Sequence, residues 1–175
     1  MEIFLGDKYY NYSNVTKIIN RYYINKPLGG LWVSKKNNNN SEYICPWHEF
    51  CIETDFNVYT PIYMTEIKID DKAKIFKINS YEDYDLLFND FPVTTNDFNL
   101  NGDFFKRKQL DFEAIALHFD VIELTEAGII DTRKNFSRCE LYSWDIASSV
   151  ILNKNVIIPV RYKILDSVRS WYIEG

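Results

Sequence analysis

Residues 149–164, SVILNKNVIIPVRYKI, decide the class of fold. Two extended stretches, 149–152 and 156–164, are rich in Val, Ile and Tyr, residues that suit a pleated, half-buried surface. Only a few polar residues separate them, so no crossover helix fits between them. Residues 140–145 read as a further strand just upstream, so strands recur at close spacing towards the end of the chain.

The earlier part of the chain reads differently. Residues 2–5 read as a first strand. Asn11 or Ser13 can then cap a helix whose apolar face is Val15, Ile18, Ile19, Tyr22 and Tyr23, at helical spacing. Pro27 stops it, Gly29 and Gly30 supply a turn, and residues 31–34 read as a strand. After an Asn-rich polar loop at 35–41, Pro46 suits the first turn of a helix carrying Trp47, Phe50 and Cys51. Residues 62–69 alternate as a strand, and 75–78 are extended. Ser80 with Asp83 resembles a capping box for a helix bearing Tyr84, Leu87, Phe88 and Phe91, ended by Pro92. Residues 93–109 read as irregular. Asp111 can cap a helix with Phe112, Ile115, Ala116 and Phe119, followed by a strand at 120–124. Gly128 and the stretch to Ser137 read as a long loop. Helices first and close-set strands last favour an α+β fold, with a mostly antiparallel sheet and three or four helices, over a doubly wound parallel sheet. With no internal repeat and no linker, residues 1–175 form a single domain.

The 175 residues suffice for a proper core, with roughly two thirds of the unfolded surface buried on folding. Aromatic residues make up 17%, including 13 Tyr and 12 Phe. The bias towards Asn, Ile, Lys, Tyr and Phe is what an AT-rich coding sequence produces. Net charge is −5, which does not resemble a nucleic-acid footprint. The basic cluster Lys106, Arg107, Lys108 reads as a solvated loop. No apolar run is long enough to span a bilayer, and the first residues lack a signal pattern, so a soluble, cytoplasmic protein is expected.

Cys45, Cys51 and Cys139 are an odd number of cysteines, which argues against a disulfide framework. Cys45, His48 and Cys51 have C-x2-H-x2-C spacing, which raises zinc. The interleaved Pro46, Trp47 and Phe50 favour a packed helical turn with buried free thiols, and no metal is expected. His48 and His118 are the only imidazoles, and both read as structural, His118 as partly buried. Phosphate-loop, dinucleotide-fold and nucleophile-elbow motifs are all absent.

Chemistry is left to four short segments: KPLGGLWVS at 26–34, PWHEFC at 46–51, LDFEAIALHFDVIEL at 110–124, and LYSWDIASSVILN at 141–153. Trp32 and Ser34 share one face of a strand. Asp145 directly follows Trp144, so its carboxylate can lie in a partly apolar cleft and stabilise a developing cation. It can equally cap the turn at Ala147 and Ser148. Trp32 can equally be core, and Ser34 a strand-end hydroxyl.

In this order, the segments resemble a family of small, mostly uncharacterised phage and microbial proteins. The family's pattern is K-P-x-G-L-W-x-S, a W-x-x-W-C-like helix, a Y/F-D-x-I strand and W-D-x-A-S. This chain has an extra Gly30, and Phe50 where the second Trp falls. The layout resembles, more distantly, the ADP-ribosyltransferase superfamily. That resemblance implies NAD as cofactor, bound by Trp32, Ser34, Gly30 and Trp47. It also implies a catalytic carboxylate, Asp145 or Glu140, on a late strand, and an acceptor on a protein or nucleic acid. The superfamily places a His or Arg on its first strand; this chain has neither there. The alternative is a non-enzymatic protein-binding module of viral or defence-related type, using aromatic surface as its interface.

Overall fold

The computed structural model describes residues 1–21, 24–37, 43–56, 62–93, 109–134 and 141–165. In chain order the elements are β1 (Glu2–Gly6), β2 (Thr16–Ile19), β3 (Leu28–Lys35), α1 (Pro46–Glu53), β4 (Ile62–Ile69), β5 (Ile75–Ile78), α2 (Tyr81–Asp90), α3 (Phe112–Ile115), β6 (Val121–Leu124), α4 (Glu126–Arg133), β7 (Ser148–Ile151) and β8 (Ile157–Leu165). The fold is α+β, with four α-helices and a mostly antiparallel sheet among the described residues. Strands run in the order β5-β6-β7-β3-β1-β4-β8, with β2 pairing on β3. Only β5 and β6 are parallel among these pairs.

Directly opposed residues share a face of the sheet. The register therefore puts Ile122, Val150 and Trp32 on one face, with Ser34 and Ile3 further along it. Over the β5–β7 side, this face is covered by Tyr84 and Leu87 of α2, Phe112 and Ile115 of α3, and Trp144. Over β1 and β4, it is covered by α1, with Cys45, Cys51 and Trp47 against Ile3, Leu5 and Met64. The other face buries Leu31, Val33, Ile67, Val121 and Ile151 beneath Tyr10 and Val15.

Several expected elements take their expected form. Pro46 opens α1. Ser80 and Asp83 form a reciprocal capping box on α2. Asp111 caps α3 through the Ala114 N–H, and the Asn20 side chain accepts the Phe112 N–H at 2.7 Å. The two late strands lie within one residue of their expected bounds.

Four readings are corrected. The helix expected after Asn11 and Ser13 is instead a short 3-10 turn (Tyr12–Asn14) followed by β2. Its run of β-branched residues pairs with β3, where Gly29 and Gly30 hold φ of 81° and 67° at the irregular register. Tyr22 and Tyr23 lie outside the described residues. The loop expected from Gly128 begins as a helix, α4, capped by Thr125. Gly128 is there for contact: a Cβ would come 2.1 Å from the Ile78 carbonyl oxygen of β5. The helix carrying Phe112 is a single turn ending at Ile115. Residues 141–145 are not a strand: 141–143 form a turn, closed by Trp144 N–H to Leu141 O at 2.9 Å, and Asp145 follows it. Among the described residues, no helix is long and apolar enough to cross a membrane.

Candidate functional site

On the first face of the sheet, the covering layer changes between β3 and β1. Trp144 and its helices end there, and α1 begins. The seam is a cavity of about 280 Å³ lined by Lys26, Trp32, Ser34, Trp47, Trp144 and Asp145, with Ile3 and Leu5 of β1 and Ser148 of β7. Sequence-expected residues from three separate segments thus line one cleft. Gly30 does not line it. A Cβ there would meet Ile151 O at 2.9 Å and Ile18 Cδ1 at 3.0 Å, so this glycine serves the packing of β2 and β7 around β3. Glu140 lies outside the described residues.

Trp144 is fully buried and Trp32 half-buried. Their rings meet edge to face, with centroids 4.6 Å apart at 72°. The Trp144 indole N–H donates to the Asn25 carbonyl at 2.5 Å. Asn25 is itself buried; its side chain accepts the Leu110 N–H at 2.8 Å and donates to the Tyr84 hydroxyl at 3.2 Å. The aromatic wall is therefore tied to α2 and to the segment before β3. Ser34 lines the cavity and is buried.

Asp145 sits on the segment between the 141–143 turn and β7. Its carboxylate pairs with Lys26 Nζ at 3.6 Å, and that ammonium stands 5.0 Å from the Trp32 ring centroid. The side chains are 49% and 31% exposed, so the pair is held loosely by the standard of buried ion pairs. The Arg133 guanidinium, at the end of α4, donates to the Trp144 carbonyl at 2.8 Å and the Asp145 carbonyl at 3.2 Å. It fixes the backbone that presents the carboxylate. Lys26 and Arg133 were not singled out from sequence. Lys26 stood at the head of a noted segment, but nothing local links it to Asp145.

The C-x2-H-x2-C residues sit behind this site. Cys45 and Cys51 are buried free thiols. Burial pushes the Cys45 thiol up to about 12 and that of Cys51 up to about 11, so both stay protonated. His48 is buried, and its Nδ1 accepts the Ile44 N–H at 3.3 Å. Among the described residues, no group of three His, Cys, Asp or Glu could hold a metal. His118 is exposed rather than partly buried, because its helix ends at Ile115; its ring lies 5.1 Å from that of Phe91.

On the opposite face of β1 from the cleft, Glu2 has a carboxylate oxygen with no hydrogen-bond partner among the described residues. Burial, reinforced by the Glu123 charge and opposed by Lys35, Lys77 and the N-terminus, raises its pKa from 4.5 to about 7. Between those two values only the folded state keeps this proton. Its contribution to stability is thus full below pH 4.5 and lost as pH rises to about 7. Glu2→Gln is expected to remove that decline, adding on the order of 2 kcal/mol at pH 8 and little at pH 4. Urea denaturation of both proteins across this range measures it; parallel profiles would contradict the assignment.

Comparison with protein-family models, with curated proteins and with solved structures finds no match to this chain.

Proposed function

We propose that the chain acts as an NAD-dependent ADP-ribosyltransferase-like protein, taking the nicotinamide end of NAD into the cleft and transferring ADP-ribose to an acceptor on a protein or nucleic acid. The observation that carries this reading is that Trp32, Ser34 and Asp145, from distant parts of the chain, line one cavity. A flat ring, a hydroxyl and a carboxylate there match what the reaction needs. Trp32 offers the wall for the nicotinamide ring. Ser34 offers a hydrogen bond to its carboxamide or to the ribose. As the bond between ring nitrogen and ribose lengthens, positive charge develops on the sugar, and a fixed carboxylate at Asp145 stabilises it. The same carboxylate takes the proton of the attacking acceptor. At about 280 Å³ the cavity suits the nicotinamide-ribose end rather than the whole dinucleotide. Titration calorimetry with NAD, with mass spectrometry for released nicotinamide and transferred ADP-ribose, tests the reading. Absence of both binding heat and product would end it.

A second reading, a non-enzymatic protein-binding module, is favoured by β8. Among the described residues this strand ends the sheet, and Ile158, Val160, Tyr162 and Ile164 along it are all exposed. A row of apolar side chains on an edge strand suits pairing with another extended chain. Its discriminating result is a function abolished by Tyr162→Asp yet untouched by changes in the cleft.

A further inference from the structure

We infer that the cleft contains a subsite for a planar organic cation, held in this structure by the ammonium of Lys26; the inference deepens the NAD reading and rests on it for the choice of a pyridinium. The ammonium lies within the roughly 6 Å over which an aromatic face attracts a cation. It also lies against the Asp145 carboxylate, 3.6 Å away. One ring face and one carboxylate thus converge on a single positive charge.

The ring, and the backbone that carries the carboxylate, are better fixed than the ammonium. Trp32 is braced edge-on by the fully buried Trp144, whose indole N–H is anchored to Asn25. The backbone of Asp145 is held by Arg133. The ammonium stands on a flexible four-carbon stem and is about one third exposed. Lys26 and Asp145 are the charged side chains among the described residues that line this cavity. A cationic ring can displace the ammonium like for like, leaving Asp145 paired and Trp32 covered. A neutral ring gives Asp145 no counter-ion, so Lys26 keeps its place and obstructs the ring face. The subsite therefore selects the oxidised, pyridinium form of a nicotinamide over neutral analogues. Lys26 is its built-in competitor.

The probes are 1-methylnicotinamide, a permanent cation, and nicotinamide, its neutral counterpart, titrated by calorimetry and tryptophan fluorescence. The cation is expected to bind about tenfold more tightly than the neutral ring. Lys26→Met, which removes the competitor, should tighten the cation by about threefold or more and narrow the preference for it. Asp145→Asn should weaken the cation by about tenfold without weakening nicotinamide, which no longer competes with a paired Lys26. Equal binding of the two probes to the native protein overturns the inference, as does loss of cation binding in a folded Lys26→Met protein. If 1-methylnicotinamide behaves as expected while NAD is not cleaved, the subsite stands and the transferase reading falls. If NAD is cleaved while the probe's charge makes no difference, the reverse holds.

Discussion

Asp145→Asn is expected to lower the rate of nicotinamide release at saturating NAD by about 100- to 1,000-fold. The exchange keeps the size of the side chain and removes its charge. The Arg133 bonds run to the main-chain carbonyls of Trp144 and Asp145, so the loop stays in place. On the proposed reading, what is lost is the negative charge facing the sugar as the glycosidic bond opens, together with the base that takes the acceptor's proton. Both are needed more in the transition state than in the ground state, so turnover should suffer more than affinity. Single-turnover measurement of nicotinamide release separates the two. A rate within about tenfold of the native one would remove Asp145 from catalysis and leave it a binding group.

The largest effect on stability is expected at Trp144. Replacing it by Ala should reduce the free energy of unfolding by about 3–5 kcal/mol. The ring is among the largest fully buried side chains, and it joins the helical cover to the sheet. Its loss opens a cavity against Trp32, and it leaves the buried Asn25 carbonyl without the indole donor. Trp144→Phe separates these causes: it keeps most of the apolar contact and loses the N–H, and should cost about 1–3 kcal/mol. Urea denaturation followed by far-UV circular dichroism reads both. An Ala variant as stable as the Phe variant would show that the hydrogen bond, not packing, dominates.

The elements most legible in sequence were those with local causes. Pro46 at the start of α1, the Ser80–Asp83 box and the alternation of residues 62–69 depend on neighbours only a few positions away. The late strands were legible because β-branched runs so close together have few other uses. The errors came where a distant partner overrode local spacing. Ile18 and Ile19 fit a helical face as well as a strand, and pairing with β3 made them a strand. Gly128 read as a loop because its reason for being glycine is the carbonyl of Ile78, fifty positions upstream. Asp145 was noticed through its neighbour Trp144, but its position on a strand was wrong, since residues 141–143 form a turn. Lys26 had no local signature, because its partners Trp32 and Asp145 meet it only after the sheet has formed.

The sheet order has a consequence for synthesis on the ribosome. β1 and β3 leave the tunnel early yet occupy the middle of the sheet, and one flank of β3 is completed by β7, formed from residues 148–151. Until those residues emerge, the nascent chain presents an unpaired inner edge along Leu31, Trp32 and Val33. Such an edge is a template for stray pairing, and strands paired across so long a stretch of sequence close slowly. A chaperone that shields this edge until β7 has emerged would therefore favour the native pairing over stray ones.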